Sequence, residues 1–421
     1  MHRIIAAALA ASVCASSVQA QTSPPATAPD GLTLEQALDL AGANSPGIGA
    51  ADAGVRAAEA QRRVAGLRPN PSVNVEVENV VGTGAYSGIR GAETTVGMSL
   101  PLELGGKRSA RIAVADTQTA RARLAVVTAG ADLRLRVTQA YNEAVASERR
   151  LLIARDQQRI ATEGLRAANV RVRAGRASPL EEQRADVARI NADTALAQAE
   201  RAVTLARGNL ARLVGREPGA LDLGWFDRVA PGVGPRLPAS AEGTLALAAA
   251  EAELATANAQ VRLARSQRVP DLTLSAGARR LEATNDVAAV FGVSLPIPLF
   301  NNGRAGIDAA RAQREQAEAL RRVALFDAQQ AIATAETDLA NAEANARAAN
   351  GPALAAAQEA ARIARIGYRE GKFGQLDLLE AERTLAQTRS AAIDALAAYQ
   401  DAKARLERLT ARAPVNTEVQ P

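Results

Sequence analysis

The sequence contains one arrangement of elements twice, and this duplication constrains the fold more than any other feature. Near residue 70 and again near residue 270, helical sequence gives way to two short alternating segments and then returns to helix. Pro71 is echoed by Pro270, and the SLPL segment at 99–102 is echoed by SLPI at 294–297. The period is about half the chain, far longer than the roughly 20–50 residues of stacked solenoid units. We therefore expect two copies of one half-molecule.

Each half is predicted to contain a very long helix. Phe, Trp and Tyr make up only 2% of the chain, so a large aromatic core is not expected. No proline occurs between Lys107 and Val172, and a helix of that length extends roughly 100 Å. From about Arg304 the second half repeats this pattern, and its apolar residues at 325–346 are spaced 3-4-3-4, as in a coiled-coil seam. At Gly351–Pro352 we expect a kink or a small insertion.

The residue types that most enzymes and metal sites use are confined to the start of the chain. The only cysteine, Cys14, and the only histidine, His2, both lie within residues 1–20. The remainder has no means of forming a disulfide or a Cys/His zinc site, and it lacks the commonest general base. We therefore predict no enzymatic activity and no cofactor. Basic and acidic residues alternate at helical spacings without interleaved aromatics, so no nucleic-acid partner is expected.

Residues 1–20 are predicted to be a signal peptide. Arg3 precedes an apolar stretch at 4–13, and the VQA sequence at 18–20 precedes Gln21 in the small-residue pattern of a cleavage site. The alternative is that Cys14 is lipidated and becomes the mature N-terminus. No later segment approaches 18 consecutive apolar residues, so any membrane crossing is expected to use strands.

Alternating polarity predicts strands at about 72–81, 94–102, 271–277 and 287–297. Each is about ten residues long, which matches a membrane-crossing strand, although a soluble hairpin packed on a helix is the alternative for each pair. Four such strands do not close a cylinder, and open edges are not tolerated in lipid. We therefore predict a mainly α fold with a small β part. About three chains would form an outer-membrane β-barrel of about twelve strands, continued by a long periplasmic coiled-coil barrel of helices.

The predicted organisation follows from these elements. A signal peptide (1–20) and an extended leader (21–32) precede the first repeat (33–213). An inter-repeat segment rich in Pro and Gly (214–243) contains the only tryptophan and is expected to pack outside the helical barrel. It leads to the second repeat (244–412) and a tail (413–421).

The order helix, strand, strand, long helix and short helix, found twice, resembles the TolC-type outer membrane efflux proteins across essentially the whole mature chain. The motif Tyr368-x-x-Gly371-x5-Asp377-Leu-Leu is similar to the periplasmic-tip signature of that family. The segments SLPLELGGKR at 99–108 and GVSLPIPLF at 292–300 are similar to the heavy-metal efflux branch. The resemblance implies a passive exit duct in the outer membrane of a Gram-negative bacterium, extending into the periplasm.

The resemblance also implies partners and functional residues. Such ducts are homotrimers in outer membrane lipid, and they receive cargo from an inner-membrane pump of the resistance-nodulation-division type through a periplasmic adaptor (membrane fusion protein). The residues that match the adaptor-docking tips are Gly175, Arg176, Gly371 and Lys372. The residues that match the aperture are Asp377, Glu380, Glu181 and Tyr368. In this interpretation Tyr368 hydrogen-bonds Glu181 across neighbouring helices and holds the tip closed.

The sequence leaves alternatives open for the site and for the function. Asp377 can cap the final helix with Glu380 three residues later, as in a capping box. Three copies of both carboxylates in a narrow pore would also repel one another and attract cations, and the two roles are compatible. The same duct can serve drug efflux or type I secretion. A periplasmic coiled-coil scaffold or adaptor without a barrel is the competing class of protein.

Overall fold

The computed structural model describes residues 31–229 and 239–414 of the chain. The predicted signal peptide, the lipidation alternative at Cys14 and nearly all of the predicted leader lie outside the described residues. So do residues 230–238 of the inter-repeat segment and most of the predicted tail.

Helices make up most of the described chain. They are α1 (Leu34–Ala43), α2 (Pro46–Ala65), α3 (Lys107–Arg173), α4 (Pro179–Val214), α5 (Leu245–Ser266), α6 (Arg304–Ala348), α7 (Leu354–Arg369) and α8 (Gln375–Leu409). The strands are β1 (Ser72–Glu78), β2 (Glu93–Leu102), β3 (Leu272–Leu281) and β4 (Asp286–Ser294). Within the described ranges, no helix combines the length and the hydropathy that would span a membrane.

The order of elements confirms the mainly α fold class and the duplication. In each half, helix leads to a strand pair, then to a long helix and a shorter helix that packs beside it. In the first half the long helix is α3, which is uninterrupted over 67 residues. In the second half α6 and α7 are joined by a π-helical turn over Ala349–Ala353. Pro352 lies in this turn and has no N–H to donate, so the interruption is a widened turn and not the end of the helix.

The strands form one antiparallel sheet in the order β1-β2-β3-β4. The central pair joins the two halves, since β2 belongs to the first repeat and β3 to the second. Their pairing runs from Glu93 opposite Leu281 to Leu102 opposite Leu272. The two repeats therefore share a single sheet, and β1 and β4 are its edges.

Three strand ends differ from the prediction. β1 ends at Glu78 and not at about 81, because Asn79 has φ = 60°, a left-handed conformation that interrupts extended backbone. β3 continues to Leu281 and not to about 277, because its pairing with both neighbours extends to a turn that contains Asn285 (φ = 57°). β4 ends at Ser294 and not at about 297, because its pairing with β3 ends there.

One face of the sheet is apolar and the other is polar. On the apolar face, the side chains of the edge strands are exposed, for example Val73 (73% exposed) on β1 and Phe291 (81% exposed) on β4. On the polar face, the Arg279 guanidinium lies 2.8 Å from the Glu93 carboxylate and 3.0 Å from that of Glu78. The sheet thus has the alternation of a wall with apolar surroundings on one side and water on the other.

The largest core of the described chain lies where α3, α8 and the segment after α4 meet. Tyr141 of α3 is fully buried, and its hydroxyl donates to the Leu32 carbonyl at 2.7 Å and the Asp222 carbonyl at 3.1 Å. Its ring meets Trp225 edge-on, with centroids 5.6 Å apart. Burial raises the pKa of the Tyr141 hydroxyl, which keeps it a neutral donor. These contacts fix the described part of the inter-repeat segment against α3.

Replacing Tyr141 by Phe is expected to lower the free energy of unfolding by about 1–2 kcal/mol, because the buried carbonyls lose their donor while the ring packing remains. Thermal unfolding in detergent, followed by circular dichroism, measures this effect. The matched control is Tyr86→Phe, since Tyr86 is 54% exposed. Equal shifts in the two variants would contradict the anchoring role of the Tyr141 hydroxyl.

Candidate functional site

Two tight turns at the ends of helix hairpins carry the predicted docking residues. Gly175 lies between α3 and α4, and Gly371 lies between α7 and α8, with left-handed φ values of 67° and 71°. The residue after each glycine donates its backbone N–H to the carbonyl five residues back, at 2.9 Å from Arg176 and at 2.8 Å from Lys372. This bond and the left-handed glycine are the features of a Schellman helix end. Arg176 and Lys372 are both exposed.

The first two turns of α8 carry the predicted aperture carboxylates. Gly374 is the N-cap residue, and its N–H donates to the Asp377 carboxylate at 2.9 Å. The prediction that Asp377 is itself the N-cap is therefore wrong, because Asp377 is the third helical residue and reaches back to the cap. Glu380 follows one turn later, and both side chains are exposed. The charge of Asp377, which lies in the first turn of α8, interacts favourably with the helix dipole.

Glu181 occupies the equivalent position at the start of α4. Ser178 is the N-cap of that helix, with its hydroxyl accepting from the Leu180 N–H at 3.3 Å, and Pro179 is the first helical residue. Glu181 is thus the third residue of its helix, like Asp377. Its side chain is half-buried, and one carboxylate oxygen (Oε2) is buried without a hydrogen-bond partner among the described residues.

Tyr368 connects the two repeats near the tips. Its hydroxyl accepts from Arg171 Nη1 at 2.7 Å, and the Arg171 guanidinium lies 5.2 Å from the ring centroid. The hydrogen bond is the main reason that the pKa of Arg171 is raised, with a smaller contribution from Glu181. Within the described chain, Tyr368 is therefore bound by Arg171 and not hydrogen-bonded to Glu181. Sequence reasoning missed Arg171, because its partner lies in the other repeat.

In the turn between α7 and α8, Phe373 makes a packing contact that the sequence did not predict. The Phe373 ring lies against the backbone of Gly367, where a Cβ atom would come within 2.1 Å of the ring. Any larger residue at 367 would displace Phe373. In the first repeat Arg171 stands at the position of Gly367, so the two turns share backbone geometry but not packing.

Ion pairs further along the hairpins join three helices. Glu382 of α8 is almost fully buried, and Arg365 of α7 donates to both of its carboxylate oxygens. Asp156 of α3 accepts from Arg389 of α8 at 3.1 Å and from Arg159. Burial raises the pKa of Asp156, but the two arginines outweigh that effect and the pKa is lowered. These pairs fix α3, α7 and α8 relative to one another behind the turns.

The tips offer exposed charge on rigid turns. In residues 31–229 and 239–414, no group of three or more His, Cys, Asp or Glu side chains is close enough together to hold a metal ion. The turns thus present the cations Arg176 and Lys372 and the carboxylates Asp377 and Glu380 at the surface.

One shared sheet with an exposed apolar face, continued by two long helix hairpins with matched turns, defines the class of outer membrane channels. The chain belongs to the Outer membrane efflux protein family, whose model matches residues 37–216 and 238–412. The resemblance found in the sequence is thus confirmed. The protein is an outer membrane efflux channel that extends into the periplasm.

Several known proteins are similar to this chain in sequence or in fold. The cobalt-zinc-cadmium resistance protein CzcC of Cupriavidus metallidurans is 32% identical over 388 residues, which cover 90% of each chain. The nickel and cobalt resistance protein CnrC of the same organism is 34% identical over 290 residues, 68% of this chain and 67% of that protein. The outer membrane protein VceC of Vibrio cholerae shares the fold, with a TM-score of 0.73 at 20% identity over 90% of this chain and 96% of that one.

Replacing Gly371 by Ala is expected to cost about 1–2 kcal/mol of stability, because alanine is strained in the left-handed region, and Gly175→Ala should behave alike. The matched control is Gly130→Ala inside α3. There no neighbouring atom lies within 4 Å of the added methyl group, and alanine is the better helix former, so stability should rise. Thermal unfolding in detergent measures all three. A loss in the control as large as at the tips would contradict the conformational explanation.

Proposed function

We propose that this protein is the homotrimeric exit duct of a tripartite efflux system that exports heavy-metal cations. A periplasmic adaptor docks at the helix-hairpin turns, and an inner-membrane pump of the resistance-nodulation-division type supplies the cargo. The duct is passive, with no catalytic residue and no cofactor, and is gated at its periplasmic tip. The similarity to CzcC over 90% of both chains is the observation that carries this proposal.

The incomplete sheet supports assembly as a homotrimer. One chain supplies four antiparallel strands with two open edges. In lipid, each unpaired backbone group at an open edge would cost several kcal/mol. About three copies joined edge to edge give about twelve strands, which enclose a lumen wide enough for hydrated ions. The apolar face of the sheet then contacts outer membrane lipid, and the polar face lines the lumen.

Relatives and charge both support cations as the cargo. CzcC and CnrC are named for resistance to cobalt, zinc, cadmium and nickel. On the polar face of the sheet, the carboxylates outnumber Arg279; they are Glu76, Glu78, Glu93 and Asp286. An excess of negative charge in a lumen raises the local concentration of cations without selecting one metal. Selection among metals is assigned to the pump.

The aperture in this proposal is lined by carboxylates. Asp377 and Glu380 are exposed on neighbouring turns of α8. Three copies around a narrow opening would form a negative ring that repels itself and attracts cations. Glu181 is the equivalent carboxylate of the first repeat, and Tyr368 holds α7 to α3 through Arg171. The hydrogen bond from Gly374 gives Asp377 a capping role as well, and one residue performs both.

The docking surface in this proposal is the pair of turns. Gly175 and Gly371 give each hairpin a narrow end with a fixed backbone. Arg176 and Lys372 follow these glycines and are exposed, so positive charge stands at the point where an adaptor would first meet the duct. The contact with the adaptor is therefore expected to weaken as ionic strength rises.

Deleting the gene is expected to lower tolerance to divalent heavy metals, because their exit path is lost. Growth of the deletion strain on graded zinc, cobalt, cadmium, nickel and copper measures this effect, with drug sensitivity as the control for cargo. Re-expression of the wild-type chain should restore tolerance. Unchanged metal tolerance with altered drug sensitivity would reject heavy metals as the cargo. It would still be consistent with an exit duct.

Removing the charges of the aperture is expected to lower the cation preference of the reconstituted channel about twofold or more. The variant is Asp377→Asn with Glu380→Gln, since Asn keeps an oxygen that accepts from the Gly374 N–H and so preserves the cap. Reversal potentials in planar bilayers under a salt gradient measure the preference. The control is Asp308→Asn with Glu318→Gln, two exposed carboxylates of α6. An unchanged reversal potential in the first variant would contradict the aperture role. Capping of α8 would then be the only role left for Asp377.

A further inference from the structure

An open cleft of about 410 Å³ lies where α3 and α5 meet the sheet. Arg262 and Arg265 of α5 line one side of it, and Ser109 and Ala113 of α3 line the other. Both arginines are exposed, and within the described chain neither side chain has an ion pair or a hydrogen bond. Among the described residues, no carboxylate lines the cleft. The cleft therefore carries two positive charges that the described chain does not neutralise, because arginine stays protonated in proteins.

The cleft opens away from the polar face of the sheet. The alternation of β2 and β3 places Glu103 and Asp271, which lie next to the ends of these strands, on the polar side. On that side Lys107 of α3 lies 2.7 Å from Asp271, and Arg111 of α3 donates to Glu103 at 3.0 Å. Ser109 is two residues from both of these cations, or about 200° around the helix. Its side of α3, which lines the cleft, is therefore the outer side of the chain.

The apolar face of the sheet continues to the cleft. Leu100 of β2 is opposite Leu274 of β3 near the end of the sheet from which α3 leaves, and their side chains are 40% and 41% exposed. Val269 packs against Gly105 at the edge of the cleft, where a Cβ atom added to the glycine would come within 2.6 Å of the valine side chain. Exposed apolar surface and two unpaired cations are therefore neighbours on the outer side of the described chain.

The strands indicate the level of the cleft in the membrane. β2 and β3 each have ten residues, which is the length that crosses the apolar core of a bilayer. α3 begins shortly after β2 ends, and α5 ends shortly before β3 begins. In a channel whose helices extend into the periplasm, the cleft between these helix ends therefore lies at the level of the lipid headgroups on the periplasmic side.

Two arginines at this level suit a phosphate group. The guanidinium group is planar and presents its N–H donors in a fork that matches phosphate oxygens. Basic pockets at the headgroup level of membrane proteins bind anionic lipid headgroups. A dissolved anion would leave the apolar surface beside the cleft in water, whereas the acyl chains of a phospholipid would cover it. The combination of positive charge and apolar surface therefore favours a phospholipid over a free anion.

We propose that this cleft binds the headgroup phosphate of an anionic phospholipid from the periplasmic leaflet of the outer membrane. Arg262 and Arg265 donate to the phosphate oxygens, and the acyl chains lie on the apolar face beside Leu100 and Leu274. The proposal rests on the membrane position of the sheet in the proposed duct and adds a lipid ligand to it. The bound lipid contacts both α3 and α5, so it holds the two helices together where they meet the membrane.

The duplication indicates one such site in each chain. By the spacing of the two repeats, Arg63 of α2 is the counterpart of Arg262, and Gly66 is the counterpart of Arg265. Of these two helices, only α5 therefore carries the pair of arginines. The expected stoichiometry is one tightly bound lipid per chain.

Titration of the purified channel with a single lipid tests the site. The channel is extracted from outer membranes in detergent, stripped of lipid and titrated with dioleoyl phosphatidylglycerol, and native mass spectrometry measures the bound lipid per chain. Arg262→Gln with Arg265→Gln is expected to weaken the tightest binding about tenfold or more, because both charges near the headgroup are lost. Arg262→Lys with Arg265→Lys keeps both charges and should stay within about threefold of the wild-type chain.

The matched control is Arg201→Gln with Arg322→Gln, which removes two exposed arginines of α4 and α6 that do not line the cleft. This control should bind the lipid as the wild-type chain does. Equal weakening in the control would overturn the proposal, because the charge lost would then matter wherever it lies.

Two further titrations identify the ligand. Dioleoyl phosphatidylcholine has the same acyl chains without the net charge, and binding as tight as that of phosphatidylglycerol would overturn the anionic headgroup. Displacement of the lipid by equimolar inorganic phosphate would assign the cleft to a free anion and overturn the lipid.

The outcomes separate this proposal from the proposed function. Unchanged lipid binding in Arg262→Gln with Arg265→Gln, with trimers still present in the outer membrane, would overturn the lipid site and leave the duct intact. A wild-type chain that forms no trimers in the outer membrane would overturn the homotrimeric duct itself.

Discussion

The antiparallel pairing of β2 with β3 is the contact on which the rest of the structure depends. It joins the two repeats in one sheet, in which β2 and β4 run in the same direction. The helices that follow them, α3 and α6, therefore leave the sheet from the same end. α3 is 67 residues long, or roughly 100 Å. At its far end Arg171 still lies 2.7 Å from Tyr368 of the second repeat, so the alignment set in the sheet is kept along the whole hairpin.

The two repeats share the backbone geometry of their turns but differ in the side-chain contacts at the tips. Both turns use a left-handed glycine and the same helix-ending hydrogen bond. The second turn packs Phe373 on Gly367, whereas the first places Arg171 there and uses it to hold the other repeat. This difference couples the hairpins, because a movement of one turn would have to break a hydrogen bond and a cation–π contact to the other. Divergence after duplication thus supplies a contact between the repeats that two identical halves would lack.

Burial of ionic groups reinforces this coupling. Glu382 has both carboxylate oxygens bound by Arg365, and a buried carboxylate without its cation is strongly unfavourable. Asp156, which is half-buried, joins α3 to α8 by accepting from Arg389 at 3.1 Å. Midway along α3, Tyr141 fixes the described part of the inter-repeat segment. Behind the tips, α3, α7 and α8 are therefore joined by specific polar contacts, beside buried apolar side chains such as Leu385 and Leu396 of α8.

The sequence by itself determined the elements and much of the site. Periodicity, proline and glycine act over a few residues. They predict the duplication, the long helices, the strand pairs and the turns at Gly175 and Gly371. The interval from Gly371 to Asp377 also located the second turn and the start of α8, although Asp377 proved to be the third residue of α8 and not its N-cap residue. Only the tertiary structure decided which residues meet. Arg171 and Tyr368 are 197 positions apart, and no local pattern encodes a contact that the shared sheet and two long helices bring about.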